Sequence, residues 1–327
     1  MKKKRALSGI QPSGKLHLGN LVGALSNWVR LQDEYNCFYF IADLHALTTG
    51  YADTKKLKEA VMDVAIDMLS AGLDPERSTL FIQSDIPEHS ELHLMFSMIT
   101  PLSWLERVPT YKSQIEEMKE KDLGTYGFLG YPVLMAADVL IYKADVVPVG
   151  QDQLPHLELT REIARRFNNL YKDVFPLPKD LLTASPVLPG LDGRKMSKSY
   201  GNTIGISDPP DVIMKKINTA ITDPARVKKE DKGHPDVCNI FAYHKIFNSA
   251  DAKQIRVDCS SAKIGCVECK KIVAKKLNEY LAPIYEKRKT LEKRKDYVRD
   301  VFAEGAKKAQ VMARQTLSEA KTAMGIF

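Results

Sequence analysis

The stretch RALSGIQPSGKLHLGN, residues 5–20, decides the fold. RALSGI reads as a strand, QPSGK as a turn built from Gly and Pro, and HLGN as the opening of a helix that continues through LVGALSNWVRLQDEY. Along that helix Leu18, Leu21, Val22, Leu25, Trp28, Val29 and Leu31 fall on or near one face, so an amphipathic helix laid against a core is predicted. The same alternation repeats outward. CFYFIADL, residues 37–44, reads as the next strand. A helix over 54–72 follows, capped by Thr54 and stopped at Gly72, and then a strand at STLFIQS, residues 78–84. A β-α-β-α-β order implies an α/β fold with a parallel sheet covered by helices on both faces, where ligands sit beyond the strand ends.

Residues 88–143 read as mostly helical, with a mobile polar stretch at KSQIEEMKEKDLGTYG, residues 112–127. VVPVG, residues 146–150, reads as a short strand opening into a helix at DQLPHLELTREIARRF, residues 152–167. From DPPDV, residues 208–212, onward the pattern is all-helical, and the composition shift near 205 marks a domain boundary. Two domains also suit 327 residues.

Hydrophobic residues make up 44% of the chain and charged residues 27%, which excludes a disordered or fibrous protein. Asp138 interrupts the most apolar run, YPVLMAADVLIY, so no segment reaches the ~20 residues of a membrane helix. The opening MKKKRALSGI has a basic start without an apolar stretch after it, and a cytoplasmic protein is expected. Residues 207–327 carry 25 Lys and Arg against 16 Asp and Glu, whereas the first 206 carry 23 against 25. The basic excess in the second part suggests a polyanionic partner there, although a solvated Lys-rich surface has the same composition.

Two segments carry chemistry. SGIQPSGKLHLGN, residues 8–20, joins a strand to a helix N-terminus, whose unpaired N–H groups and partial positive charge suit phosphate. Gly9, Gly14 and Gly19 allow close approach of a ligand to the backbone, and His17 and Asn20, three apart, can donate to one anion. KMSKS, residues 195–199, lies in the Gly-containing loop LDGRKMSKSYGN. Lys195 and Lys198 can approach a triphosphate from one side while the helix N-terminus holds it from the other, stabilising the charge that moves onto pyrophosphate.

With HLGN and KMSKS in this order, the chain resembles the class I aminoacyl-tRNA synthetases. More narrowly it resembles the bacterial tryptophanyl-tRNA synthetases, along nearly its whole length. SGIQPSGKLHLGN, IADLHALT, YPVLMAADVLIY, VPVGQDQLPHLELTREIARRFN and DGRKMSKS carry the likeness. Asn20 departs from the general signature, which has His there, as the tryptophan branch commonly does. The resemblance implies a Rossmann-type catalytic domain over 1–206 and a helical anticodon-binding domain over 207–309. The last helix, about 310–327, is expected to pack back on the first domain, since its apolar stripe needs a partner. His17, Asn20, Lys195 and Lys198 are implied as catalytic. Gln11, Pro12, Ser13, Gly19, Asn20, Gly150, Gln151, Asp152, Val187 and Lys195, Met196, Ser197, Lys198 and Ser199 are implied around ATP. Gly9, His45, Tyr131, Met135, Asp138, Val147, Val149 and Gln153 are implied around tryptophan.

Met135 and Asp138, three apart on one helix, offer a soft wall and an acceptor for the single N–H of indole. This favours tryptophan over the related tyrosine branch. The implied reaction is activation of L-tryptophan by MgATP to tryptophanyl-adenylate and pyrophosphate, then transfer to tRNA-Trp, by a homodimer. A non-catalytic RNA-binding metalloprotein descended from such an enzyme is the rival reading. Intact HLGN and KMSKS argue against it.

Five cysteines remain to be placed. Cys37, within an apolar strand, suits the core. Cys238, Cys259, Cys266 and Cys269 form C-x20-C-x6-C-x2-C, a donor set for zinc or an iron–sulfur cluster, with His234 as a substitute ligand. Spacing leaves the two open. A subset of the bacterial enzymes binds a [4Fe–4S] cluster on a similar pattern, and the resemblance favours it over Zn2+. Lying far from KMSKS in sequence, the cysteines are expected to serve tRNA recognition or stability, not redox chemistry. Lys270, Lys271, Lys275 and Lys276 beside them are candidate phosphate contacts.

Overall fold

β1, Arg5–Ile10, runs up the middle of a five-stranded parallel sheet. The computed structural model describes residues 3–109, 111, 122–182 and 188–326, with Ser199 by its backbone alone. The other strands are β2 Asn36–Ile41, β3 Ser78–Ile82, β4 Val146–Val149 and β5 Lys179–Leu182. Their order is β3-β2-β1-β4-β5, and every pairing is parallel. Four of these strands coincide with the predicted ones. β5 does not: KDLL is largely exposed at the sheet edge and has no apolar run to announce it.

The helices are α1 Leu18–Asn20, α2 Ser26–Leu31, α3 Asp43–Gly50, α4 Leu57–Ser70, α5 Glu88–Ser97, α6 Leu102–Glu106 and α7 Tyr126–Leu129. They continue with α8 Tyr131–Ile141, α9 Leu154–Leu170, α10 Pro210–Thr219, α11 Asn239–Phe247 and α12 Ala252–Ser260. Two long ones close the chain, α13 Cys266–Glu292 and α14 Lys295–Ala323.

Two predicted helices are corrected. The one opening at HLGN is not uniform: a π turn, Leu21–Leu25, separates α1 from α2, so the backbone gains a residue while Leu18, Leu21, Leu25, Trp28 and Leu31 stay buried. α4 begins at Leu57 with Lys56 as N-cap, and Thr54 contributes only its carbonyl, which accepts from Leu57 N at 3.0 Å. The helix does stop before Gly72, whose φ of +110° no side-chain-bearing residue adopts readily. Within the polar stretch over 112–127, residues 112–121 lie outside the described residues.

One apolar cluster joins Leu16, Leu18 and Leu80 to Ile213, Ile217, Leu277, Leu281 and Phe302, so packing continues across the composition change near 205. A second gathers on the other face of the sheet, with Phe38, Phe81 and Val147 against Leu140, Ile163, Ala309 and Leu317. α14 crosses the sheet at β3. Gly305 lies so close that an added Cβ would stand 1.7 Å from Leu80 O. The final helix therefore meets the sheet from its first turns, well before residue 310.

Candidate active site

The sheet order reverses at β1, which pairs with β2 on one side and β4 on the other. Helices leave β1 and β4 in opposite senses there and open a crevice beyond the strand ends. A cavity of about 290 Å³ occupies it. Gly9, His45, Tyr131, Met135, Asp138, Val147, Val149 and Gln153, the group that the resemblance implies for one pocket, all line this one cavity. Gln11 and Gly150 line it as well. Gly9 has a packing reason of its own, because a Cβ would meet the Phe40 ring at 2.6 Å.

Asp138 is almost fully buried, and three donors converge on it. His45 Nε2 lies 2.7 Å from Oδ2; His89 Nδ1 and Gln83 Nε2 lie 2.6 and 2.8 Å from Oδ1. Burial alone would raise this carboxyl, but the hydrogen bonds and charges of His45 and His89 override it and hold it at about 2. An ionised carboxylate only accepts, so both imidazoles present N–H groups to it, and the far nitrogen of His89 lies within hydrogen-bond distance of the Tyr142 hydroxyl, at 2.7 Å. Three donors fill three of roughly four acceptor positions on a carboxylate. Asp138 is also among the residues lining the cavity, so its carboxylate can accept an N–H brought in by a ligand there. Gln83, His89 and Tyr142 escaped the sequence reading: they come from three elements and form no local motif.

The two signature segments meet. Lys198 Nζ donates to Ser13 O at 2.8 Å and lies 3.2 Å from Ser13 Oγ. Met196 is buried with its Cβ near the Gly19 position, and Gly14 takes φ +91° to make the turn. Segment 204–206 pairs alongside, with Leu18 N donating to Ile204 O and Ile206 N to Leu16 O. Burial and the nearby Lys198 charge hold His17 at about 4, so its ring is neutral. His17 Nδ1 is buried without a hydrogen-bond partner, while His17 N donates to Asn20 Oδ1 at 3.1 Å, leaving the Asn20 amide nitrogen to donate outward. Burial lowers Lys198 to about 8. Pro12 is buried, whereas Gln11, Ser13, Gln151 and Asp152 are exposed at the rim. Lys195 is exposed and bridges backbone to backbone with Pro189. Val187 lies outside the described residues.

The cysteines also converge, though more loosely. Cys238 caps α11, Cys259 lies in the last turn of α12, and Cys266 and Cys269 occupy the first turn of α13, where the helix dipole favours thiolate. Burial and the charges of Cys238, Cys259 and Cys266 push Cys269 up to about 12, so all four thiols lie within charge range of one another. Arg226 Nη1 stands 3.8 Å from Cys259 Sγ, and His244 Nε2 stands 3.3 Å from Cys269 Sγ. Among the described residues, no group of three or more His, Cys, Asp or Glu side chains is drawn into a ligand shell. The donor set and its cationic neighbour suit an anionic thiolate site, and side-chain rotation would have to close it. Cys37 is a buried core residue, as expected. His234 is bonded through N and Nδ1 to Asp223.

A larger groove, about 490 Å³, lies between α5 and α14. Its charges satisfy one another, Arg314 with Glu88 and Lys321 with Glu91, and none of the predicted site residues lines it. No helix among the described residues is long and apolar enough to cross a membrane.

Residues 1–282 match the family described as tRNA synthetases class I (W and Y). A tryptophan–tRNA ligase from Thermotoga maritima is 53% identical over 326 residues, covering 99% of both chains. One from Aquifex aeolicus is 45% identical, covering 98% of this chain and all of its own. Among solved structures, tryptophanyl-tRNA synthetase from Campylobacter jejuni, complexed with ADP and tryptophan, superposes with a TM-score of 0.89 at 35% identity, over 98% of this chain and 100% of that one. The chain belongs to the class I tRNA synthetases, in the branch of the bacterial tryptophan–tRNA ligases.

Proposed function

We propose that the crevice performs tryptophan–tRNA ligation with the residues brought together there. The observation that carries this reading is the buried Asp138 carboxylate, oriented by His45, His89 and Gln83 and lining one cavity with the seven other residues implied around tryptophan. Indole offers one N–H to match it. A phenol offers its polar group elsewhere on the ring, and would leave the acceptor bare at about 1–3 kcal/mol.

In the first step the tryptophan carboxylate oxygen attacks the α-phosphorus of MgATP, and the bond to the β-phosphate oxygen breaks. Gln11, Ser13, His17, Asn20 and the N–H groups around Gly19 hold the phosphates, and Gly150, Gln151 and Asp152 hold the ribose. Val187, outside the described residues, is matched to adenine by the resemblance alone, and Lys195, Met196, Ser197, Lys198 and Ser199 form the loop. Lys198 stabilises the charge gathering on pyrophosphate, while His17, neutral, donates or accepts without competing for that anion. In the second step the 2′-hydroxyl of the terminal adenosine of tRNA-Trp attacks the acyl carbon and AMP departs. No side chain forms a covalent bond; positioning and charge do the work. Pyrophosphate exchange tests the assignment: tryptophan but not tyrosine supports it, and D138N lowers kcat/KM for tryptophan by roughly 10- to 150-fold, the loss of a charged hydrogen bond. Exchange driven equally by tyrosine overturns it.

Residues 1–206 are assigned to catalysis and 207–309 to anticodon binding, in a cytoplasmic homodimer. Cys238, Cys259, Cys266 and Cys269 would hold a [4Fe–4S] cluster, with Zn2+ as the alternative. Bound, the cluster would cross-link α11, α12 and α13. Supporting it are the placement of the four cysteines at the ends of α11, α12 and α13 and the guanidinium of Arg226 beside Cys259. Iron, sulfide and zinc analysis of protein purified without oxygen separates the two: one zinc without sulfide overturns the cluster.

A further inference from the structure

α11 faces two ways. On one side it touches the cysteines: Cys238 is its N-cap, and its buried His244 meets Cys269. On the other it touches the stem of the KMSKS loop. That stem is the turn Pro189 to Lys195, closed by a backbone bridge between its ends and by Gly190 N donating to Arg194 O at 2.7 Å. Asn239 Nδ2 donates to Gly190 O at 2.6 Å, and Tyr243 OH donates to Pro189 O at 2.8 Å. Asn239 and Tyr243 are four apart, hence on one helix face, and both are buried.

The stem is tight. A Cβ on Gly190 would stand 2.3 Å from the Asn202 amide. That amide in turn accepts from Ser197 N at 2.8 Å and donates to Lys195 O at 3.1 Å. A displaced Gly190 would therefore move Asn202, and with it the backbone that carries Lys195, Ser197 and Lys198. Neither Asn239 nor Tyr243 lines the tryptophan cavity.

We propose that Asn239 and Tyr243 are positioning residues for the ATP step, fixing the KMSKS loop to α11 so that its lysines meet the triphosphate in register. The proposal rests on the reading that the KMSKS lysines act on ATP. The cysteine region, remote from KMSKS in sequence, thus adjoins the stem of that loop through one helix.

The test compares Y243F and N239S with wild type in tryptophan-dependent pyrophosphate exchange, and measures tryptophan affinity without ATP by equilibrium dialysis. Each variant is expected to raise KM for ATP roughly three- to tenfold, the loss of one buried hydrogen bond, with tryptophan affinity unchanged. Loss of tryptophan affinity in step with ATP would mean a general structural role and overturn the proposal. Y243F removes only one oxygen, so it keeps the question open should N239S not fold. K195A and K198A run alongside. If they lose exchange while Y243F and N239S match wild type, the inference alone fails. If the lysine variants are also unaffected, the underlying reading of the loop fails.

Discussion

Replacing Arg288 by Met removes a guanidinium from a site that cannot replace it with water. Arg288, on α13, is only 3% exposed; it pairs with Asp67 and Asp63 of α4, donates to Asp63 O at 3.1 Å and reaches Glu292 at 2.9 Å. Asp67 has no exposure at all, and its other oxygen accepts from Leu16 N at 2.7 Å, one residue before His17. R288M keeps the aliphatic stem and leaves Asp67 with that one N–H. Breaking a buried pair by removing one partner costs about 3–5 kcal/mol. A second route gives a similar figure: the stranded carboxyl escapes by taking a proton, which for an ordinary Asp at pH 7 costs about 4 kcal/mol. Burial already pushes Asp67 up, and without Arg288 its folded-state pKa lies well above the unfolded value. A raised carboxyl destabilises the fold fully above its folded pKa and not at all below its unfolded one. The deficit of R288M should therefore be about 4 kcal/mol at pH 7 and shrink toward pH 5, by at most about 2–3 kcal/mol because wild-type Asp67 is itself raised. Urea denaturation at the two pH values, with D67N/R288M as the rescue, reads this directly. A deficit under about 1 kcal/mol at pH 7, or one that grows toward pH 5, would refute the reasoning.

Burial lowers Lys198 to about 8, so in free enzyme its charge is present below that pH and lost above it. The kcat/KM for ATP should fall as pH rises through 8, and K198R, which keeps its charge, should flatten that limb; a flat wild-type profile to pH 9.5 would contradict it. Gly305→Ala, stabilising in an exposed helix, should here cost more than about 2 kcal/mol because its methyl meets Leu80 O; a raised melting temperature would exclude the contact. Cys266→Ser should abolish bound metal while leaving adenylate formation and impairing tRNA charging; loss of both activities together would point to unfolding instead.

Elements with a strong local signal were legible in the sequence. β1 appears at the bounds read for it, and Met135 and Asp138 line one cavity from the shared helix face their spacing predicts, together with residues that the family resemblance pointed to. The illegible parts leave no local signal, and for several of them the partners are distant in sequence. β5 is an exposed edge strand, and its backbone pairing to β4 leaves no hydrophobic trace. The π turn at Leu21–Leu25 keeps the same leucines inward, so periodicity cannot report it. Gln83 and His89 look like ordinary polar residues until Asp138 arrives between them. The cysteine spacing was plain, whereas Arg226 and His244 beside those sulfurs were not.

The motifs themselves show the same dependence. HLGN and KMSKS are recognisable as short strings, but neither holds its own shape. Behind the HLGN turn, Leu16 N is anchored on Asp67, whose other oxygen binds Arg288 from the far end of α13. Behind KMSKS, the stem is anchored on Asn239 and Tyr243 of α11. Both anchors come from the basic helical half, and both are buried, where a hydrogen bond is stronger and its loss more costly than at the surface. Each motif is thus clamped from behind by a helix that also borders the four cysteines, α13 carrying two of them on its first turn and α11 capped by a third. Lys198 and Ser13 meet because two separate anchors agree on where they stand. An error of an ångström at either one would misplace a phosphate contact without touching a signature residue.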